Sequence, residues 1–208
     1  MNTYNNIFHI EVGQLEVNCI IVKCLETSRI AVFDPGDDFD KIVKFIESIG
    51  GKPELIINTH CHYDHIGAVN DLKKKYSIPF IIHEQEKEYA EEPEKNYSSM
   101  TGEPIKVYPD RFISDGELIN LGSIGIKVIH TPGHTKGSCC FLTGNTLISG
   151  DTLFAGSVGR TDLYGGDTDT ILESIKNKLL LLDGDTIVLT GHGRSTTIKQ
   201  EKRFNPYL

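Results

Sequence analysis

The segment Thr59-His60-Cys61-His62-Tyr63-Asp64-His65 constrains this chain more than any other. It follows the apolar run Leu55-Ile56-Ile57, so a buried strand runs directly into His60, His62, Asp64 and His65. Imidazoles and a carboxylate crowded this tightly repel as cations, or cost desolvation when buried, unless something binds them. A metal cation is the simplest such partner for nitrogen and oxygen donors. His60 and His62 can face one cation from an extended loop, while Asp64 and His65 turn toward a second as the chain enters a helix. Alternation along the extended loop turns Cys61 away from the two histidines and out of the ligand set.

Strands and helical periods alternate along the chain. Short strands are expected over Ile7–Val12, Asn18–Lys23 and Arg29–Phe33, the last ending at the turn Asp34-Pro35-Gly36. Phe39, Ile42, Val43, Phe45, Ile46 and Ile49 then recur at helical spacing until Gly50-Gly51 stops them. Leu55–Asn58 reads as the strand that feeds the histidine loop. One helix is expected from Asp64 to Tyr76, with Ile66, Val69, Leu72 and Tyr76 inward and Lys73–Lys75 outward, and a strand over Pro79–His83. Residues 84–109 combine charged residues with Pro93, Asn96 and Gly102, and read as a helix followed by a surface excursion, either a lid or an irregular segment. Strand signals return over Arg111–Ser114, Glu117–Asn120, Ile124–His130, Ser138–Leu142 and Thr146–Gly150. A helix over Asp169–Leu182 and a strand over Thr186–Thr190 complete the pattern, which implies an α/β layer arrangement.

Other strand ends also carry ligand-type residues. His134 lies in Thr131-Pro132-Gly133-His134-Thr135, Asp151 follows Leu147–Gly150, and His192 sits in Gly191-His192-Gly193 after Ile187–Thr190. Strand ends of an α/β core converge on one face. Gly133, Gly150, Gly191 and Gly193 are expected to permit close backbone approach there. His9, His83 and His130 have no comparable context and read as structural.

A chain of 208 residues suits one domain, residues 1–208. A formal net charge of −8, with no long basic stretch, argues against a nucleic-acid partner. The apolar runs are too short to span a bilayer, which argues against a membrane partner. Met1–Asn6 lacks the basic and apolar regions of a signal segment. An odd set of 5 cysteines without a CxxC suggests reduced thiols and a cytoplasmic location.

His60-Cys61-His62-Tyr63-Asp64-His65, followed by His134, Asp151 and His192, resembles the ordered ligand set of the metallo-β-lactamase superfamily. That resemblance implies a four-layer αβ/βα sandwich with two central mixed sheets. It implies two divalent cations, one on His60, His62 and His134 and the other on Asp64, His65 and His192, with Asp151 bridging them. Zn is the default for hydrolysis, and Fe or Mn suits the same donors. Antibiotic-hydrolysing members usually lack the bridging carboxylate, and the stretch Asp151–Asp162 is more similar to the glyoxalase II branch. The likeness implies a hydrolase of thioesters such as hydroxyacylglutathione, acting through a metal-activated bridging hydroxide. Asp64 would orient the nucleophile and Asp151 would hold the metal pair. Arg160 stands where that branch carries a basic residue near the glutathione moiety, and Tyr63 would border the cleft.

The pattern departs from that branch in two respects. Asp162 replaces a tyrosine, and only 15 residues follow Gly193, so the C-terminal glutathione-binding helical domain is not expected. The stretch Gly159–Asp162 also resembles persulfide dioxygenases, which would hold one iron on His60, His134 and Asp151. A noncatalytic metal-binding or redox partner protein is a third reading. The expected partner is a small molecule, with the chain a monomer or homodimer.

Overall fold

The computed structural model describes residues 6–208, so the expectation for residues 1–5 lies outside the described residues. The first half of the chain builds one six-stranded mixed sheet from β1 (Ile7–Val12), β2 (Val17–Lys23), β3 (Arg29–Phe33), β4 (Lys52–Ile57), β5 (Phe80–His83) and β6 (Arg111–Ile113), in that spatial order. β1 to β3 pair antiparallel, and β3 to β6 run parallel. The parallel connections carry α1 (Phe39–Ile49), then α2 (Tyr63–Ile66) and α3 (Val69–Tyr76), then α4 (Lys87–Glu91).

The second half contributes β7 (Leu118–Leu121), β8 (Ile124–His130), β9 (Cys139–Thr143) and β10 (Thr146–Gly150). A small ribbon of β11 (Leu153–Phe154) and β12 (Ser157–Val158) follows, then α5 (Thr168–Asn177), β13 (Ile187–Thr190), β14 (Thr196–Thr197) and α6 (Ile198–Phe204). The second sheet runs β14-β13-β10-β9-β8-β7, with β10 and β13 parallel.

Side-chain alternation turns these sheets into four layers, because successive strand residues face opposite sides. Ile20, Val22, Ala31 and Phe33 point inward and meet Ile126, Val128, Phe141 and Ile148 of the second sheet. Phe33 and Phe141 make the edge-on contact between sheets, with centroids 5.3 Å apart. The alternate residues Cys19, Ile21, Ile30 and Val32 pack outward beneath Ile42 and Ile46 of α1 and Val69 and Leu72 of α3. Ile129, Cys140, Leu147 and Val188 do the same for the second sheet under α5 and α6. The fold is therefore the expected αβ/βα sandwich with two central mixed sheets. Among the described residues, no helix is long and apolar enough to cross a membrane.

Some elements depart from the sequence expectation. The single helix expected over 64–76 is two helices, because Ala68 N–H donates to Pro35 O at 2.9 Å and leaves the helical ladder. The helix expected to reach Leu182 ends at Asn177, and a single 3-10 turn over Leu179–Leu181 follows. Residues 84–109 are anchored: Tyr89, Ala90 and Val107 are fully buried in the outer core of the first sheet. Asn96 is buried too, and its amide donates to Tyr89 O and Ile105 O.

Candidate metal centre

Strand ends from both sheets meet along one edge of the sandwich. Asn58 follows the end of β4, and its amide donates to His60 O and His65 O and folds the histidine loop back on itself. β8 leads to His134, β10 to Asp151 and β13 to His192. β2 closes the edge: Asn18 donates to Thr190 O and Gly193 O, each at 2.9 Å, and pins the His192 turn.

His60, His62 and His134 bring one nitrogen each to a common point. His134 Nε2 lies 3.3 Å from His60 Nε2 and 3.0 Å from His62 Nδ1. Asp64, His65 and His192 form a second group, with Asp64 Oδ2 3.6 Å from His65 Nε2 and 3.3 Å from His192 Nε2. Asp151 stands between them. Its Oδ1 lies 3.5 Å from His65 Nε2, and its Oδ2 lies 3.7 Å from His134 Nε2 and 3.6 Å from His192 Nε2. Four donors around a tetrahedral cation at about 2.0–2.1 Å would lie about 3.3–3.4 Å apart. Both groups are near that spacing and could hold a cation.

The outer ring nitrogens decide which atoms face the centre. His134 Nδ1–H donates to Arg160 O and His192 Nδ1–H to Leu15 O, both at 2.8 Å. A carbonyl can only accept, so Nε2 of each ring carries the lone pair. Thr59 Oγ1 donates to Asp34 Oδ2 at 2.7 Å and therefore accepts from His60 Nδ1 at 3.1 Å, which again frees Nε2. Asp34 Oδ2 also lies 3.1 Å from His65 Nδ1. His65 Nε2 and Asp151 Oδ1 are buried with no hydrogen-bond partner. A buried polar atom without a partner needs an explanation, and a shared cation supplies one for both.

The electrostatics fit the same reading. Burial, reinforced by the neighbouring imidazoles, pushes His60 and His62 well below the ordinary histidine range, and burial lowers His134. All three are neutral donors at pH 7. Burial alone would raise Asp64, but His65 and His192 hold it below the usual carboxylate range. Burial also opposes charge on His65, yet Asp64, Asp151 and Asp34 outweigh it and raise the ring to about 10. The second group thus draws positive charge to itself.

A family model described as the metallo-beta-lactamase superfamily matches residues 12–192. The chain belongs to this superfamily. Its similarity to a "Probable metallo-hydrolase YqgX" of Bacillus subtilis (strain 168) is 39% identity over 202 residues, covering 95% of this chain and 94% of that protein. A "Hydroxyacylglutathione hydrolase GloC" of Haemophilus influenzae is 35% identical over 208 residues, covering 98% of each chain. A solved structure, "Crystal structure of BLEG-1 B3 metallo-beta-lactamase", superposes with a TM-score of 0.92 at 38% identity, covering 97% of this chain and 99% of that one.

Within this superfamily fold, all seven residues proposed from the sequence as ligands lie together at the sheet edge. Cys61 turns into the core, as its alternation implies. Gly191 and Gly150 are needed for space: a Cβ at Gly191 would lie 2.1 Å from Asp151 Oδ1, and one at Gly150 would lie 2.3 Å from Thr59 Oγ1. Gly193 differs from the expectation, since nothing lies within 4 Å of its Cβ position. Tyr63 and Asp64 line a cleft of about 500 Å³ with Leu15, Glu103 and Ile105. The Arg160 guanidinium extends outward and makes two 2.8 Å hydrogen bonds to the Asp162 carboxylate. Tyr97, absent from the sequence reading, places its ring 5.7 Å from His62 in a left-handed conformation, φ 68°. Such backbone strain clusters at functional sites. Tyrosine in an otherwise unreadable excursion gave no sign of it.

Proposed function

We propose that the chain is a binuclear metal-dependent hydrolase of small thioesters of the hydroxyacylglutathione class. The carrying observation is the pair of ligand groups joined through the two oxygens of Asp151. His60, His62 and His134 would hold one cation and Asp64, His65 and His192 the other, and Zn, Fe and Mn all suit these donors. Bound divalent cations would supply a water acidified toward neutral pH and a Lewis acid for the acyl carbonyl.

The chain's own residues do the rest. Asp64 orients the attacking oxygen by accepting a hydrogen bond from it, and Asp151 holds the two groups at fixed separation. The Arg160 fork suits carboxylates, and Asp162 occupies it as an internal stand-in for one carried by the thiol portion. Tyr63 borders the cleft. The name of the Haemophilus relative supports the thioester class. All five cysteines are free and buried, which supports a reducing, cytoplasmic setting.

A second reading, opening of a β-lactam ring, is favoured by the 38% identity to the B3 structure. Both readings are tested by measuring Zn, Fe and Mn per chain in the purified protein, with parallel assays on S-lactoylglutathione, a chromogenic cephalosporin and glutathione persulfide. The expected result is about two metals per chain and oxygen-independent thiol release from the thioester. Cephalosporin opening without thioester turnover would shift the assignment to the lactam. Persulfide-dependent O2 uptake with one iron per chain would replace hydrolysis with a dioxygenase.

A further inference from the structure

Glu86 is a fully buried carboxylate beneath the site for which the hydrolytic reading has no use. It lies in a single 3-10 turn, Glu84–Glu86, directly after β5. Its Oε2 accepts from Cys61 N–H at 2.7 Å. Its Oε1 accepts from Thr135 Oγ1–H and from Gly137 N–H, the latter at 2.9 Å. All three donors are neutral. Burial pushes the carboxyl up to about 7 despite these donors, so the fold bears the cost of placing it here.

The donors come from two loops only. Cys61 is the residue between His60 and His62, and Thr135 follows His134. One carboxylate therefore ties together the two backbones that carry the three-histidine group. Gly137 is open for this purpose: a Cβ there would lie 2.7 Å from Glu86 N and 2.8 Å from Glu86 Cγ. His62 needs the support most. The outer nitrogens of His60, His134 and His192 are held by hydrogen bonds; those of His62 and His65 are buried without one, and of these two only that of His65 faces a carboxylate, Asp34 Oδ2 at 3.1 Å. With only the edges of Tyr89 and Tyr97 against it, the His62 ring takes its direction largely from its backbone, and Glu86 fixes the His60–Cys61 peptide next to it.

We propose that Glu86 is a positioning residue for the three-histidine site, setting the separation of its two loops and through it the affinity of that site for a divalent cation. The inference rests on the metal reading above and extends it to a residue that touches neither metal nor substrate. Glu86→Gln has nearly the same shape but loses one acceptor. Both oxygens face donors, so the amide NH2 must oppose an N–H or O–H on one side.

The test separates the two sites. Zinc affinity is measured by competition with a chromophoric chelator in two backgrounds. Asp64→Ala/His192→Ala keeps the three-histidine group, and His62→Ala/His134→Ala keeps the other. Glu86→Gln is expected to weaken zinc about 10–100-fold in the first background, the range for groups that orient metal ligands, and less than about twofold in the second. Thr135→Val, which removes one donor and leaves the carboxylate, acts in the same direction by a smaller factor and decides the matter if Glu86→Gln does not fold. Equal weakening in both backgrounds would reduce Glu86 to a general fold staple and overturn the proposal, as would unchanged affinity in the first. If neither background binds zinc before Glu86 is altered, the metal reading itself falls and takes this inference with it.

Discussion

Asp34 condenses the problem of the site into one side chain. It sits at the end of β3 with φ 48°, a conformation that costs an L-residue roughly 1–2 kcal/mol and that aspartate tolerates better than most. Its Oδ1 accepts from Thr59 N–H at 2.7 Å, while its Oδ2 accepts from Thr59 Oγ1–H and faces His65 Nδ1. Both oxygens are committed to donors, so Asp34→Asn would set an amide NH2 against one of them. The expected cost is about 1–3 kcal/mol of stability, the penalty for leaving a buried donor unsatisfied. Metal retained through His65 should fall as well. Urea unfolding with metal analysis checks both, and an Asn variant of unchanged stability and metal content would remove Asp34 from the network. In the sequence this residue was legible only as part of a turn. What made it functional was the parallel pairing of β3 with β4, which sets Phe33 beside Ile57 and so brings Asp34 to Thr59 across 25 positions. The metal ligands were legible because four of them lie in one short segment, whereas Asp34, Asn18 and Glu86 each reach the site from elsewhere in the chain.

At the scale of elements, the junction between α2 and α3 shows why a periodic stripe misleads about continuity. Ile66, Val69 and Leu72 are all buried, as one helix would have them. The ladder nevertheless breaks where Gly36 and Gly67 let the turn after β3 press against it. A Cβ at Gly36 would stand 1.6 Å from Asp64 O, and one at Gly67 would stand 2.1 Å from Gly36 O. Gly36→Ala must push α2 away from β3, and α2 carries Asp64 and His65. The substitution is expected to cost at the upper end of the roughly 1–3 kcal/mol typical of overpacking. It should also lower metal content at the Asp64, His65 and His192 group more than at the three-histidine group. Thermal unfolding alongside metal titration reads the two effects, and near wild-type values for both would show that the close approach is dispensable. Other elements were illegible for a plainer reason. β11, β12 and β14 have 2 residues each, too few for any period, and the 7-residue α6 has only Ile198 and Glu201 buried, too sparse a face to announce a helix.

The whole molecule is two sheets pressed together, and one contact between them responds to pH. His83 ends β5 of the first sheet, His130 ends β8 of the second, and their rings stack with centroids 4.0 Å apart and planes 9° apart. The surrounding charges are Asp115, which accepts from His130 N–H, and Lys178, which pairs with Asp115 and donates to His130 O. His130 Nε2 also faces Lys136 O. Burial, then the neighbouring ring, lowers His83 to about 4, and burial lowers His130. In the unfolded chain these rings take up a proton near their ordinary value of about 6.5. The contribution of the stack is therefore fully present above about pH 6.5 and declines as pH falls toward about 4, because the unfolded state binds the proton first. The buried His60, His62 and His134 are lowered in the same direction, while His65 is raised, so the wild-type curve alone cannot isolate the pair. His83→Phe keeps a ring in the stack and removes its proton. Denaturant midpoints of wild type and variant, compared at pH 7.5 and pH 4.5 in chelator, should differ less at acid pH than at neutral pH or reverse in order. Because the pair joins the sheets rather than closing a loop, the change should appear in the global unfolding transition. Parallel midpoints across the range would mean that protonation of His83 is accommodated without parting the layers.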